Sequence, residues 1–93
     1  MPEIVRKHVM LAGRVQGIGF RWFAYDEARH FAIAGWIRNV GGDRVELEAQ
    51  GSPAGVDEFI SRLKTEHPMA RVWRAEEYEV PPVPEDRDFQ IDA

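Results

Sequence analysis

With 93 residues the chain has enough material for one hydrophobic core and none to spare for a second module, so one domain over 1–93 is expected. A hydrophobic fraction of 44% with 11% aromatics excludes disorder, and the absence of cysteine excludes disulfides, thiolate nucleophiles and cysteine-ligated zinc. A net charge of −4, with acidic residues gathered in the second half, argues against a nucleic-acid binder that relies on counterion release.

Over 5–12 the residues Val5, Val9 and Leu11 share one face at period two, interrupted by Lys7, which predicts a first strand ended by Gly13. Gly13-Arg14-Val15-Gln16-Gly17-Ile18-Gly19 places three glycines in seven positions, a composition for a tightly turned loop. Phe20, Phe23, Ala24, Ala28 and Phe31 then recur at helical spacing, with Glu27 the one misfit, so an amphipathic helix starts near Phe20.

Residues 34–40, with Trp36 and Ile37, read as a second strand, and Gly41-Gly42-Asp43 turns it into a hairpin. Val45, Leu47 and Ala49 alternate with Arg44, Glu46, Glu48 and Gln50, which gives the third strand one dry and one wet face. Ser52-Pro53 reads as an N-cap and first helical position for a second helix carrying Val56, Phe59, Ile60 and Leu63, stopped by Pro68. A β-prone stretch over 71–80 precedes the proline-rich segment 81–84, and Phe89 and Ile91 suit a short last strand.

The order β-α-β-β-α-β predicts an α+β fold, the ferredoxin-like split β-α-β sandwich, with two helices packed on one face of a four- to five-stranded antiparallel sheet. In that topology the first and second strands run parallel with the third between them, so their C-terminal ends share one edge of the sheet. The glycine-rich loop, Arg21 and Asn39 therefore converge there. Loop amides and the first helix's N-terminus suit an anion, and Arg21 sits in a first turn where a cation costs about 0.3–1 kcal/mol unless an anion compensates. By glycine count alone the loop still reads as a connection. By position alone Arg21 fits a solvated helix arginine as well as a phosphate clamp.

The run Gly13-Arg14-Val15-Gln16-Gly17-Ile18-Gly19-Phe20-Arg21, followed by Gly35-Trp36-Ile37-Arg38-Asn39, resembles the two signature segments of acylphosphatases. The resemblance extends through the Val45-Glu46 strand, the Gly51 turn, the second helix and Ala70-Arg71-Val72. It implies a stand-alone hydrolase that cleaves the carboxyl–phosphate bond of small acyl phosphates to carboxylate and inorganic phosphate. It also implies that Arg21 binds phosphate with the loop Val15, Gln16, Gly17, Ile18, Gly19 and Phe20, and that Asn39 orients the water. Ile18 stands where valine is usual, and Gly41-Gly42-Asp43 replaces a more familiar acidic-then-glycine turn.

No cofactor is expected and no metal, because an acyl phosphate already carries a good leaving group and no clustered metal ligands are evident. The partner is a small-molecule acyl phosphate of broad identity, not nucleic acid or membrane, and the setting the cytoplasm, since the charged opening residues hold no signal-like apolar stretch and no run is long enough to cross a bilayer. A relatively polar sheet face is compatible with a monomer and leaves the oligomeric state open. A non-catalytic phosphate- or carboxylate-binding regulatory domain on the same fold is the alternative. His8, His30 and His67 are read as independent histidines, Trp22, Trp36 and Trp73 as packing residues, and Glu46 and Glu48 as a solvated surface.

Overall fold

A computed structural model describes residues 3–92. The elements are β1 (Val5–Arg14), α1 (Phe20–His30), β2 (Ala34–Val40), β3 (Arg44–Gly51), α2 (Pro53–Thr65), β4 (Arg71–Val80) and β5 (Phe89–Ile91). They build one five-stranded sheet in the order β4-β1-β3-β2-β5. β3 is antiparallel to both β1 and β2, so β1 and β2 run the same way, as the crossover through α1 demands.

Alternation decides which face of each strand is covered. Val9, Leu11, Ile37, Val45, Leu47 and Ala49 turn to the helices and are fully buried. They meet Phe20, Ala24 and Ala28 of α1 and Val56, Phe59, Ile60 and Leu63 of α2 in a single core cluster. Ser52 accepts a hydrogen bond from the Gly55 amide at 3.0 Å with Pro53 opening the helix, which is the predicted start of α2. The two residues that spoil the periodic patterns are spent on ion pairs. Glu27 of α1 pairs with Arg62 of α2, and Lys7 carries its ammonium out to Asp57 at 3.3 Å and Glu77 at 3.5 Å.

Three expectations change. β1 continues two residues past Ala12, and Gly13 does not end it. Its register against β4 shifts between Ala12 and Gly13, and Gly13 lies at φ 145° with the Arg71 carbonyl only 2.0 Å from where a Cβ would stand. The sheet is mixed, because β5 pairs parallel to β2. β4 ends beside Arg6 and β5 begins beside Gly35, at the same end of the sheet. Segment 81–88 therefore crosses that end and sends the last strand back in the direction of β2. Four strand spacings are about 19 Å, and eight extended residues reach about 26 Å, so no helix is needed. Trp22 and Trp73 are exposed, at 66% and 69%, and do not pack in the core.

Candidate active site

The crossover brings the C-terminal ends of β1 and β2 to one edge of the sheet, and contacts between the end of β1, the loop after it and the turn after β2 fasten them there. The Gly13 amide donates to the Asp43 carbonyl at 2.8 Å. The Gln16 side-chain amide reaches the carbonyls of Val40, Gly41 and Arg44 at 3.3, 3.0 and 2.9 Å. Gln16 thus serves by its side chain as the rivet between the two segments, and what it offers a ligand is backbone.

Two buried anchors bracket the loop, Val15 and Phe20, at 0% and 1% exposure. Gly17 and Gly19 between them both adopt φ 74°, and a Cβ on either would meet nothing within 4 Å. Their requirement is therefore conformational: a left-handed turn that folds the loop back over the start of α1. Ile18 packs its side chain against the core, and its carbonyl accepts from His67 Nε2 at 3.0 Å. His67 Nδ1 in turn accepts from the Met69 amide at 3.1 Å. Those partners hold His67 as the neutral Nε2–H tautomer, a brace behind the loop that nothing in its sequence spacing announces.

Gly19 is the N-cap of α1 and supplies no side chain to cap it, and the first turn contains no acidic residue. The opening N–H groups of the helix are left for something else, with the positive end of its dipole behind them. Arg21 adds a guanidinium to that already positive end. It has no carboxylate partner among the described residues; its one contact is a long 3.4 Å approach of Nη1 to the Asp92 carbonyl.

Asn39 lies on β2 on the helix-facing side, in register with Val45. Its Oδ1 is buried and accepts no hydrogen bond among the described residues. A buried acceptor without a donor costs roughly 1–3 kcal/mol, so an unmet Oδ1 marks a place where a donor is expected. It borders a cavity of about 120 Å³ together with Val15, Gln16, Gly17, Gly19, Phe20, Arg21 and Trp22. That space equals roughly four waters at about 30 Å³ each, enough for one tetrahedral anion and a water. Of the residues named from the sequence, all but Ile18 line this cavity, and Ile18 supports it from behind. Trp22 is the wall that sequence reasoning missed. Its position next to Arg21 was the available signal.

Larger concavities lie on the sheet face away from the helices, but the charged groups beside them are already paired. His8 Nδ1 lies 2.7 Å from Glu48 Oε2, and Nε2 lies 3.0 Å from Glu46 Oε2. Arg6 holds Glu48 at 2.6 Å and Asp86 at 2.8 Å, and Arg38 holds Glu46 at 2.6 Å. Glu46 and Glu48 are only 16% and 19% exposed, which corrects the expectation of a solvated surface. Among the described residues no group of three or more His, Cys, Asp or Glu side chains is arranged to hold a metal ion.

A family model described as Acylphosphatase matches residues 7–91. The chain is 44% identical over 72 residues to an acylphosphatase of Anaeromyxobacter sp., covering 77% of each chain. It is 36% identical over 89 residues to an acylphosphatase of Chloroflexus aurantiacus, covering 96% of this chain and 97% of that one. The crystal structure of acylphosphatase from Bacillus subtilis superposes with a TM-score of 0.89 at 30% identity, covering 96% of this chain and 99% of that one.

Proposed function

This chain belongs to the acylphosphatase family, and from that premise we propose that Arg21 and the loop Val15–Phe20 hold the phosphoryl group while Asn39 positions the attacking water. The protein is an acylphosphate phosphohydrolase. The observation that carries the residue assignment is the buried Oδ1 of Asn39, which has no donor among the described residues, on the same small cavity as Arg21, which has no carboxylate among them.

Arg21 donates two parallel hydrogen bonds to phosphoryl oxygens, and the loop and first-turn amides of α1 supply further donors. A phosphoryl group held this way presents one face to Asn39. Water donates a hydrogen bond to Asn39 Oδ1, which directs its lone pair at phosphorus, in line with the bond to the acyl oxygen. The new P–O bond forms as the P–O bond to the acyl group breaks, and the acyl oxygen leaves with the electron pair as a carboxylate. That leaving group is weakly basic, so no general acid is needed at the acyl oxygen. Among the described residues no base lines the cavity beside Asn39, and the water's proton passes to a phosphoryl oxygen, giving inorganic phosphate. The chemistry asks for no metal.

The same proposal takes the protein as a single cytoplasmic domain acting as a monomer on a small-molecule acyl phosphate. β4 is a ten-residue edge strand, and its Arg74, Glu76, Glu77 and Glu79 blunt pairing with a second copy, which supports the monomer. The non-catalytic binding module is disfavoured because a sensor has no use for an unmet acceptor facing the anion.

Asn39→Ala tests the assignment. Turnover of benzoyl phosphate should fall roughly 10²–10³-fold, as for the loss of one preorganised polar group, with chelator present or absent. Competitive inhibition by inorganic phosphate should persist at nearly the parental constant. Loss of phosphate binding in step with turnover would move Asn39 from the water to the anion.

A further inference from the structure

The phosphate cradle has a neighbour. Trp22 borders both the 120 Å³ cavity and a more open groove of about 400 Å³, whose other walls are Tyr25, Phe89, Gln90, Ile91 and Asp92. The groove thus runs between α1 and the edge strand β5. It starts where the clamp ends, because the Asp92 carbonyl that receives Arg21 Nη1 at 3.4 Å belongs to a residue of its wall.

An indole held 66% exposed is an uneconomical place for a large apolar ring in a monomer of this size. Trp22 is also held in position, since the Tyr25 ring one turn along α1 meets it edge-on at 5.8 Å and 75°. Its remaining surface is therefore a fixed apolar wall beside the site of phosphoryl transfer. The groove carries no Lys or Arg among its lining residues.

We infer that this groove is the acyl subsite, that it takes a neutral, flat apolar acyl group, and that Trp22 is its specificity-determining residue. The inference rests on the phosphate cradle proposed above, which fixes one end of the substrate at Arg21 and leaves the acyl group to extend along Trp22. An aryl ring buries more apolar surface against the indole than a methyl group does.

The test compares benzoyl and acetyl phosphate as substrates, with inorganic phosphate as the inhibitor that reports on the cradle alone. The parent should favour benzoyl phosphate in kcat/KM, and Trp22→Ala should shrink that preference by roughly fivefold to tenfold, the scale of the apolar surface lost. Trp22→Phe should restore most of it. The inhibition constant of inorganic phosphate should move less than about twofold in either variant. A preference that Trp22→Ala leaves unchanged, or an equal loss on both substrates, overturns the acyl subsite. The cradle is judged separately by Arg21→Lys, which must depress both substrates alike and weaken phosphate. Parental hydrolysis in that variant would overturn the cradle whatever Trp22 does.

Discussion

The two faces of the sheet treat charge in opposite ways. On the open face Arg6, His8, Arg38, Glu46, Glu48 and Asp86 form one chain of ion pairs. Gln50 closes both of its amide ends on the Val83 backbone, at 2.9 and 2.7 Å. Among the described residues, at the helix-covered edge Arg21 has no carboxylate, Asn39 Oδ1 has no donor and α1 has no side-chain cap. Saturated polar groups hold strands and loops in place, and a ligand has little to gain from them. Unmet ones cost stability and stay available for binding. The two concavities on the saturated face, lined by residues such as His8, Met10 and Glu76, are both larger than the 120 Å³ cavity on the unmet one, so polar state is a better guide to the chemistry than volume.

The contrast is sharpest in Arg21→Lys. Charge is kept, but the planar fork that fixes two phosphoryl oxygens is lost. Hydrolysis of benzoyl phosphate should fall by roughly 10²–10³-fold, which is about 2.7–4 kcal/mol of transition-state stabilisation. The unfolding midpoint in denaturant should barely move, within about 0.5 kcal/mol, since Arg21 gives up only one long contact. A folded Arg21→Lys protein that hydrolyses at near the parental rate would return the loop to its reading as a plain connection.

Arg6→Ala should do the reverse. Arg6 is 4% exposed and ties β1 to β3 and to the 81–88 crossing through Glu48, Gln50 and Asp86. Its removal leaves Asp86 without its ion-pair partner and Glu48 with His8 alone, a loss of roughly 1.5–3 kcal/mol for charged hydrogen bonds. Chemical denaturation measures this directly, while kcat on folded protein should stay within about twofold, as for a change remote from the site. A large fall in kcat with little loss of stability would make the open face part of the reaction.

Much of this was legible in the sequence, and the reason is periodicity. β2, β4 and both helices sit where alternation, the Ser52-Pro53 start and the glycine turns place them. The meeting of the loop, Arg21 and Asn39 follows from the crossover rule alone. The direction of β5 was not legible, because three residues carry no pairing preference and the geometry of the 81–88 crossing decides it. The brace from His67 to Ile18 and the rivet from Gln16 to the β2–β3 turn are contacts across 49 and 24–28 residues that no local pattern encodes. Glu46 and Glu48 look solvated from the sequence because alternation reports which face a residue is on. It does not say that Arg6, His8 and Arg38 rise from the neighbouring strands to meet it.

The smallest effect belongs to His8, and it tests whether the open face is as saturated as its distances indicate. The ring stacks on Tyr78 at 5.2 Å, meets Trp36 edge-on at 5.8 Å, and is flanked by Glu48 directly across the strand and Glu46 diagonally. Burial opposes charging the ring, but hydrogen bonds and attraction to the two carboxylates outweigh it, and its pKa is raised above the ordinary 6.5. Glu46 is lowered below 4.5, chiefly by Arg38 with His8 assisting. Glu48 is lowered because His8 and Arg6 overcome the cost of its burial. Since the folded state binds the His8 proton more tightly, its contribution is complete below about pH 6.5 and drains away as pH rises through the folded pKa. The carboxylates contribute fully above about pH 4.5 and lose their share as pH falls through their lowered values. Stability from this network is therefore greatest between those limits. His8→Gln keeps a polar side chain but cannot charge, so it should abolish the network's share of the decline on the alkaline side, about 0.2–1 kcal/mol for a cross-strand pair. Denaturation midpoints of parent and variant, measured from pH 5 to pH 9, give the difference directly. Parallel curves across that range would mean that His8 is not charged between Glu46 and Glu48, and that Arg38 and Arg6 alone hold the two carboxylates.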